Sequence, residues 1–213
     1  MYAEIKSYLD SRNVQLIAVS KMRTIDEVMA LYQLGQRHFA ENRVQDLIEK
    51  YETLPKDIHW HLIGHLQKNK VKYIAPFVYM IHSVDDIELL KKVNQHAEQN
   101  HRIIKVLLQV HIAEEETKFG FSEAEILSIF TPNIQSFHNV EICGLMGMAT
   151  NTNNQEKIKS EFKSLSQLFE NIKINYNFKN VHFTEISMGM SSDYKLAIDE
   201  GATMVRIGTA LFS

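Results

Sequence analysis

Segments with the pattern of β-strands and segments with the pattern of α-helices alternate eight times along this chain of 213 residues. The predicted strands are short apolar runs at residues 15–20, 38–40, 59–63, 78–82, 103–110, 140–145, 181–185 and 203–207. Strict alternation favours a parallel sheet, and eight repeats favour a closed (β/α)8 barrel over an open sheet. We therefore predict an α/β protein with the TIM-barrel fold, formed as a single domain by residues 1–213.

The predicted helices alternate with these strands, at residues 2–12, 24–34, 41–53, 67–75, 85–99, 122–130, 154–176 and 193–200. Thr24 and Glu27 match a capping box at the start of the second helix. Ser83 and Ser122 are further predicted caps. The first helix precedes the first strand, so we expect it to plug or flank one end of the barrel. No full helix follows the eighth strand, so the last helix is expected to be truncated.

The composition excludes several classes of protein. A formal net charge of −3 gives no reason to expect nucleic acid or an anionic membrane as a partner. The single Cys143 excludes an internal disulfide and a cysteine-rich zinc site. No apolar run approaches the ~20 residues that span a bilayer, and the charged, amphipathic N-terminus is not a secretory signal. We expect a cytoplasmic, monomeric protein without a metal site.

Two turns of small residues lie close together near the C-terminus, on either side of the eighth strand. Turns of this kind present backbone N–H groups and hydroxyls, which is the chemistry of a phosphate site. Arg206 supplies a cation between them, although ordinary turns at strand ends are the plainer interpretation. Ser191 or Ser192 is also a predicted cap for the last helix. The candidate phosphate-binding residues are Ser187, Gly189, Ser191, Gly208 and Thr209.

Lys21 closes the first predicted strand, and alternation along the strand gives it the same face as Ile17 and Val19. A lysine that faces a core is costly unless it is solvated, paired or chemically used. A solvated lysine at a strand end is the simpler alternative. In a closed barrel, however, Lys21 lies beside the two turns, and an amine next to a phosphate site is what pyridoxal phosphate (PLP) requires.

Several longer motifs identify a family resemblance. They are AVSK at 18–21, FAEN at 39–42, HWHLIGHLQKNK at 59–70, KFGF at 118–121, GLMGMA at 144–149, SMGMS at 187–191 and VRIGTALF at 205–212. In order and content they resemble the YggS/PLPBP family of pyridoxal phosphate homeostasis proteins. That family is similar to the barrel domain of alanine racemase, the fold-type III PLP barrel, and lacks its second, β-rich domain.

The resemblance implies roles for individual residues. Lys21 would carry the cofactor as a Schiff base, and Arg206 would lie against the pyridine nitrogen of the ring. Asn42 would reach the cofactor or order the lysine loop, or simply cap a helix. The family usually continues Thr-Lys-Pro after this lysine, whereas Met22, Arg23 and Thr24 follow here, so only the shape of this loop is in question. The resemblance also puts Lys118 and Gly120 near the barrel mouth.

Histidines leave further interpretations open. His61 could face the cofactor ring or be a satisfied core histidine, and His59 with His61 gives only weak support for a zinc site. The main function expected is PLP homeostasis without robust catalysis, with PLP and apo-enzymes that use PLP as partners. An amino-acid racemase or another PLP-dependent enzyme is the alternative, and a barrel for another phosphorylated ligand is a third. The missing second domain, which supplies the opposite base in the racemase, favours a carrier.

Overall fold

The computed structural model describes residues 1–114 and 119–212, in which eight parallel strands close into a barrel in sequence order. The strands are β1 Gln15–Val19, β2 His38–Glu41, β3 His59–Leu62, β4 Met80–Val84, β5 Ile104–Val110, β6 Val140–Gly147, β7 Val181–Ser187 and β8 Met204–Ile207. The predicted barrel fold is confirmed. Strand β4 begins two residues later than expected, because the N–H groups of Phe77 and Val78 still bond to the Ile74 carbonyl at the end of a helix.

Eight α-helices accompany the strands in the described residues: α1 Tyr2–Asp10, α2 Ile25–Gln33, α3 Val44–Thr53, α4 Val71–Ile74, α5 Ile87–Gln99, α6 Glu123–Ile129, α7 Gln155–Asn175 and α8 Tyr194–Asp199. A single 3-10 turn, Thr209–Leu211, follows β8 in place of a full helix. No helix within the described residues is long and apolar enough to cross a membrane.

Helix α1 flanks the barrel wall. Its buried residues Ile5 and Leu9 belong to the hydrophobic layer shared with the other helices. Tyr8 packs edge-on against Tyr194 of α8, with ring centroids 6.1 Å apart. These contacts place α1 beside α8 on the outer surface, so of the two expected positions the helix takes the flanking one.

Two of the predicted helix caps are present. Thr24 and Glu27 form a capping box at the start of α2, and Ser122 with Glu125 forms another at the start of α6. In both, the hydroxyl accepts from the third helical N–H while the glutamate accepts from the capping residue's N–H. The box at Thr24 therefore starts α2 without the proline that the family resemblance would supply.

Three other predicted helix starts are wrong. Ser83 lies inside β4 and donates to the Gly64 carbonyl, so α5 begins later and is capped by Asp86. Neither Ser191 nor Ser192 caps α8, because the turn continues to Asp193 before the helix begins. Helix α3 likewise begins at Val44, and its capping position is not Asn42.

The barrel interior contains an apolar cluster and a group of polar rings. The apolar part is a separate cluster of buried side chains from six strands: Ile17, Ala40, Met80, Leu107, Cys143, Met146 and Met204. The polar part consists of histidines from β2, β3 and β4, whose rings contact one another: His38, His59, His61 and His82. Such layers of inward side chains fill a TIM barrel, and the working residues lie at the C-terminal ends of its strands, here called the mouth.

Candidate functional site

Arg206 is a buried cation at the mouth, with only 4% of its surface exposed. As predicted, it shares the inward face of β8 with Met204. Its Nη1 donates to the backbone carbonyl and to the hydroxyl of Ser187, each at 2.7 Å, and its Nη2 donates to the Gly147 carbonyl at 3.0 Å. No carboxylate forms an ion pair with it within the described residues. Burial lowers the pKa of the guanidinium to about 10, while the charge of Asp193 opposes that shift.

Lys21 follows β1 in a turn and is exposed at the mouth. The residue before it, Ser20, is held tightly. Its hydroxyl donates to Glu41 Oε1 at 2.6 Å, and its carbonyl accepts from Lys50 Nζ at 2.6 Å. Lys50 and Glu41 also form a buried ion pair at 2.5 Å. The chain therefore leaves a fixed strand end at Ser20, and the exposed Lys21 is followed by Met22, which has a left-handed φ of 59°.

The two small-residue turns meet at the mouth. The Gly208 N–H donates to the Ser191 hydroxyl at 3.4 Å. Gly208 also packs against the end of β1, where a Cβ would stand 3.4 Å from the Val19 carbonyl oxygen. Ser191 and Thr209 are exposed. The turns and the lysine loop thus lie side by side at one end of the barrel.

Ser187 and Gly189 are buried beneath this surface. Gly189 has a φ of +90°, and a Cβ there would lie 2.6 Å from the Cβ of Ala197, so both conformation and space require glycine. The Ser187 hydroxyl contacts Arg206 and His82, at 2.7 and 2.9 Å. Ser187 therefore supports the arginine, in addition to its predicted role toward a phosphate.

Asn42 is exposed at the end of β2, in front of the start of α3. Its backbone is pressed against the next loop, since a Cβ on Gly64 would lie 2.2 Å from the Asn42 carbonyl oxygen. The side chain is therefore presented at the mouth by a fixed backbone. Gly120 lies at the end of β5 with a φ of +138°. Lys118, expected nearby, lies outside the described residues.

His61 is a satisfied core histidine. It is fully buried, and its two ring nitrogens contact His38 and His82 at 3.0 and 2.8 Å. Burial and the neighbouring histidines hold its pKa well below 6.5. Within the described residues, no group of three or more histidine, cysteine or acidic side chains is arranged to hold a metal ion.

A cavity of about 490 Å³ opens beside the site, between the loops that follow β6 and β7. Its wall carries polar groups, including Thr150, Asn153 and Ser192, whereas Lys21 and Arg206 do not line it. Asp193 closes its base and accepts from the Met190 N–H at 2.5 Å, and burial raises the pKa of this carboxyl. The cavity gives a ligand held at the turns additional polar space.

Sequence reasoning missed Lys50, Glu41 and His82. The signal for Lys50 was present, because it shares the apolar face of α3 with Val44 and Leu47. His82 has the strand parity of Met80, which also indicates an inward side chain. What the pattern could not supply was the partner across the barrel, since that contact depends on how the strands close.

The family model for the N-terminal domain of alanine racemase matches residues 2–213. This match, together with the closed parallel barrel and its basic mouth, defines an alanine racemase-type barrel. Sequence relatives show which group of alanine racemase-type barrels the chain resembles. A protein of Aquifex aeolicus (strain VF5) named "Pyridoxal phosphate homeostasis protein" is 38% identical over 199 residues, which cover 93% of this chain and 86% of the relative. The chain therefore belongs to the pyridoxal phosphate homeostasis proteins of that family.

Solved structures of similar proteins have the same barrel fold. PipY of Synechococcus elongatus PCC7942 is 36% identical, and each chain covers 100% of the other. The TM-score is 0.92 for its structure without PLP and 0.88 for its structure with PLP bound. Alanine racemase from Bartonella henselae has a TM-score of 0.70 at 16% identity, and the match covers 97% of this chain and 56% of the racemase. The last similarity concerns the fold alone.

Proposed function

We propose that the chain binds PLP at the barrel mouth and acts in PLP homeostasis as a carrier. The observation that carries the proposal is Arg206, a buried cation bonded to neutral oxygens. A guanidinium has five N–H donors, and three are used by these oxygens. The remaining donors favour a ligand with an acceptor or an anionic group, because a buried charge is costly unless it is paired.

The neighbouring residues fit the other parts of PLP. The exposed hydroxyls of Thr209 and Ser191 supply donors for a phosphate, and the Gly208 N–H, which donates to the Ser191 hydroxyl, lies beside them. The exposed amine of Lys21 stands where β1 ends, beside Gly208, and is the proposed Schiff-base partner. Asn42 supplies a further polar group at the same opening. Names of relatives and the PLP-bound PipY structure support this assignment.

Two features favour a carrier over a racemase. Bound PLP supplies an aldehyde that condenses with amines and a ring that withdraws electrons. A cation such as Arg206 facing the ring nitrogen disfavours protonation there, so the ring withdraws electrons less well. His61, the first candidate for a second base, has both ring nitrogens bonded inside the barrel. We place this carrier in the cytoplasm, as a monomer that delivers PLP to apo-enzymes.

The test loads the protein with PLP, reduces it with borohydride and maps the modified peptide. We expect a pyridoxyl group on Lys21, lost in Lys21→Ala. Lys195→Ala, a change of an exposed lysine on α8, is the matched control and should keep the modification. An adduct on Lys105 or Lys195 instead would show that the site is wrong. Absence of any adduct, with phosphate compounds still bound, would indicate a barrel for another phosphorylated ligand.

The same loaded protein separates the carrier from the enzyme. Incubated with each proteinogenic L-amino acid in deuterated water, it should give little or no enantiomer and little exchange at Cα. Mixed with an apo-enzyme that uses PLP, it should restore that enzyme's activity. Robust turnover that Lys21→Ala abolishes would contradict the carrier and support the racemase.

A further inference from the structure

Four histidines form a continuous chain of ring contacts inside the barrel, here called the histidine column. It begins at the N-terminal end of β3, where His59 Nδ1 lies 3.2 Å from His38 Nε2. His38 Nδ1 then lies 3.0 Å from His61 Nε2. His61 Nδ1 lies 2.8 Å from His82 Nε2. Every contact joins the Nδ1 of one ring to the Nε2 of the next.

The column ends at the ligand site. His82 Nδ1 lies 2.9 Å from the Ser187 hydroxyl, which accepts from Arg206 Nη1 at 2.7 Å. His82 and Ser187 are both fully buried. The contact between them crosses the barrel from β4 to β7. A continuous line of hydrogen-bonding groups therefore connects the base of the barrel with the cation at its mouth.

The column has only two proton arrangements while its rings are neutral. A neutral imidazole has one donor and one acceptor nitrogen. If one ring carries its proton on Nδ1, the next must accept at Nε2 and so also carries its proton on Nδ1. All four rings then share one tautomer, either Nδ1–H or Nε2–H. His38, His61 and His82 are expected to be neutral, because burial lowers the pKa of His38 to about 4 and those of His61 and His82 well below 6.5.

The shared tautomer decides what Ser187 can do. With all rings as Nε2–H, the Ser187 hydroxyl donates its hydrogen to His82. With all rings as Nδ1–H, His82 donates to Ser187, whose oxygen then accepts from both His82 and Arg206. The hydroxyl hydrogen is in that case free for another acceptor. The protons of the column thus control one hydrogen-bond donor beside Arg206.

We propose that His59, His38, His61 and His82 act as one proton relay, whose shared tautomer sets whether Ser187 offers a hydrogen to the ligand beside Arg206. This inference rests on the proposed function. The histidines are positioning residues, since they act through Ser187. No pKa change of the ligand is required, only a choice between two hydrogen-bond directions.

The change of all four rings from the Nε2–H to the Nδ1–H tautomer conserves the number of protons. Ser187 passes its proton to His82 Nδ1, and each ring passes its Nε2 proton to the next. The half-buried His59 releases its Nε2 proton to water at the base, and Ser187 regains a proton from water or from a protonated group of the ligand at the mouth. One proton enters at the mouth and one leaves at the base, so the net charge of the column is unchanged.

The test uses protein labelled with ¹⁵N-histidine, because long-range ¹H–¹⁵N correlation spectra distinguish the two tautomers. His38→Phe keeps a ring but removes both nitrogens, and so cuts the column two contacts away from Ser187. Tyr79→Phe is the matched control. Tyr79 stacks on His59 at 4.2 Å without joining the column, and phenylalanine preserves that packing.

We expect His61 and His82 to share one tautomer in the wild-type protein, and PLP to invert or fix it. In His38→Phe, His61 and His82 stay in contact and should still share one tautomer, but the balance between the two tautomers should change because His61 Nε2 has lost its partner. The absorption maximum of bound PLP should then shift, and PLP retention should fall by about threefold or more, whereas Tyr79→Phe should match the wild type. If His38→Phe unfolds, His82→Asn cuts the column while its amide can still bond to Ser187.

Two results would overturn the relay. One is a His82 tautomer in His38→Phe identical to that of the wild type. The other is PLP that His38→Phe and the wild type bind with the same spectrum and the same retention, even though their His82 tautomers differ. The failure of the relay can be distinguished from the failure of the proposed function. A wild-type protein that binds no PLP refutes the proposed function. The tautomer of His82, measured without PLP in His38→Phe and in the wild type, still decides whether the column transmits its state.

Discussion

At the scale of single residues, the mouth combines a buried cation in a fixed position with exposed hydrogen-bond donors. Arg206 is held by three hydrogen bonds to Ser187 and Gly147, so its position is set before any ligand arrives. Thr209 and Ser191 stand exposed above it. Because the exposed donors are not needed to hold the barrel together, their replacement should affect binding without affecting folding.

Thr209→Leu tests the phosphate site. The change removes a hydroxyl and places a bulky apolar side chain at the start of the Thr209–Leu211 turn. A hydrogen bond to a charged group is worth about 1.5–3 kcal/mol, so PLP retention should fall by about tenfold or more while pyridoxal binding changes little. Thr209→Ser, which keeps the hydroxyl, should bind both compounds as the wild type does. Equal losses for PLP and pyridoxal would place the phosphate elsewhere.

How much of the site the sequence could predict depends on the range of each contact. The inward face of Arg206 followed from alternation along one strand, and its burial agrees. The nearness of the two turns followed from the order of strands in a closed barrel. The contact of His82 with Ser187, 105 positions apart in the sequence, could not be predicted, because it depends on the side-chain packing across the barrel interior.

At the scale of elements, β1, β2 and α3 are joined beneath the lysine loop by one polar network. Glu41 from β2 accepts from Ser20 and from Lys50 of α3, all buried. The second carboxylate oxygen of Glu41 has no hydrogen-bond partner among the residues that the structure describes. Such a network contributes little net energy compared with an apolar core, but removal of one partner leaves an uncompensated charge.

Lys50→Met should therefore cost about 3–5 kcal/mol in the free energy of unfolding, measured by urea denaturation. The double change Glu41→Gln with Lys50→Met should recover much of that loss, because no buried charge remains. Lys91→Met breaks the exposed pair with Glu88 on α5 and should leave stability almost unchanged. A loss no larger for Lys50→Met than for Lys91→Met would mean that the buried pair does not hold the strand end.

The helix starts show where local signals suffice. The predicted box at Thr24 and the predicted cap at Ser122 are both present, because each motif is complete within four residues. Ser83 has the residue type of a cap but lies in a strand that ends two positions beyond its predicted end. There the pairing with the neighbouring strands, which is a long-range property, outweighs the local preference.

At the scale of the whole molecule, the buried histidines of the barrel interior make stability depend on pH. His61 and His82 are fully buried and neutral, with pKa values well below 6.5. In the unfolded chain a histidine titrates near 6.5. As the pH falls below about 6.5, the unfolded state therefore binds protons that the folded state does not, and stability falls.

Each of these histidines should add up to about 1.4 kcal/mol per pH unit to the slope of unfolding free energy below pH 6.5. His82→Asn removes one titrating group, so its slope between pH 6.5 and 5 should be shallower by about that amount, whatever its stability at pH 7. His138→Asn, a change at an exposed position, should keep the wild-type slope. Parallel slopes for His82→Asn and the wild type would contradict a neutral buried column.

The last two strands meet through a single register pair, Ser187 with Met204, while β5 and β6 share seven. The proposed ligand residues border that narrow seam on both sides, at 187–191 and 206–209. A ligand bound there would contact residues on both sides of the seam, and its binding would stabilise the folded chain by mass action. When the cell is short of this ligand, we expect β7 and β8 to separate before the other strands of the barrel. The lifetime of the protein in the cell would then depend on the concentration of the proposed ligand.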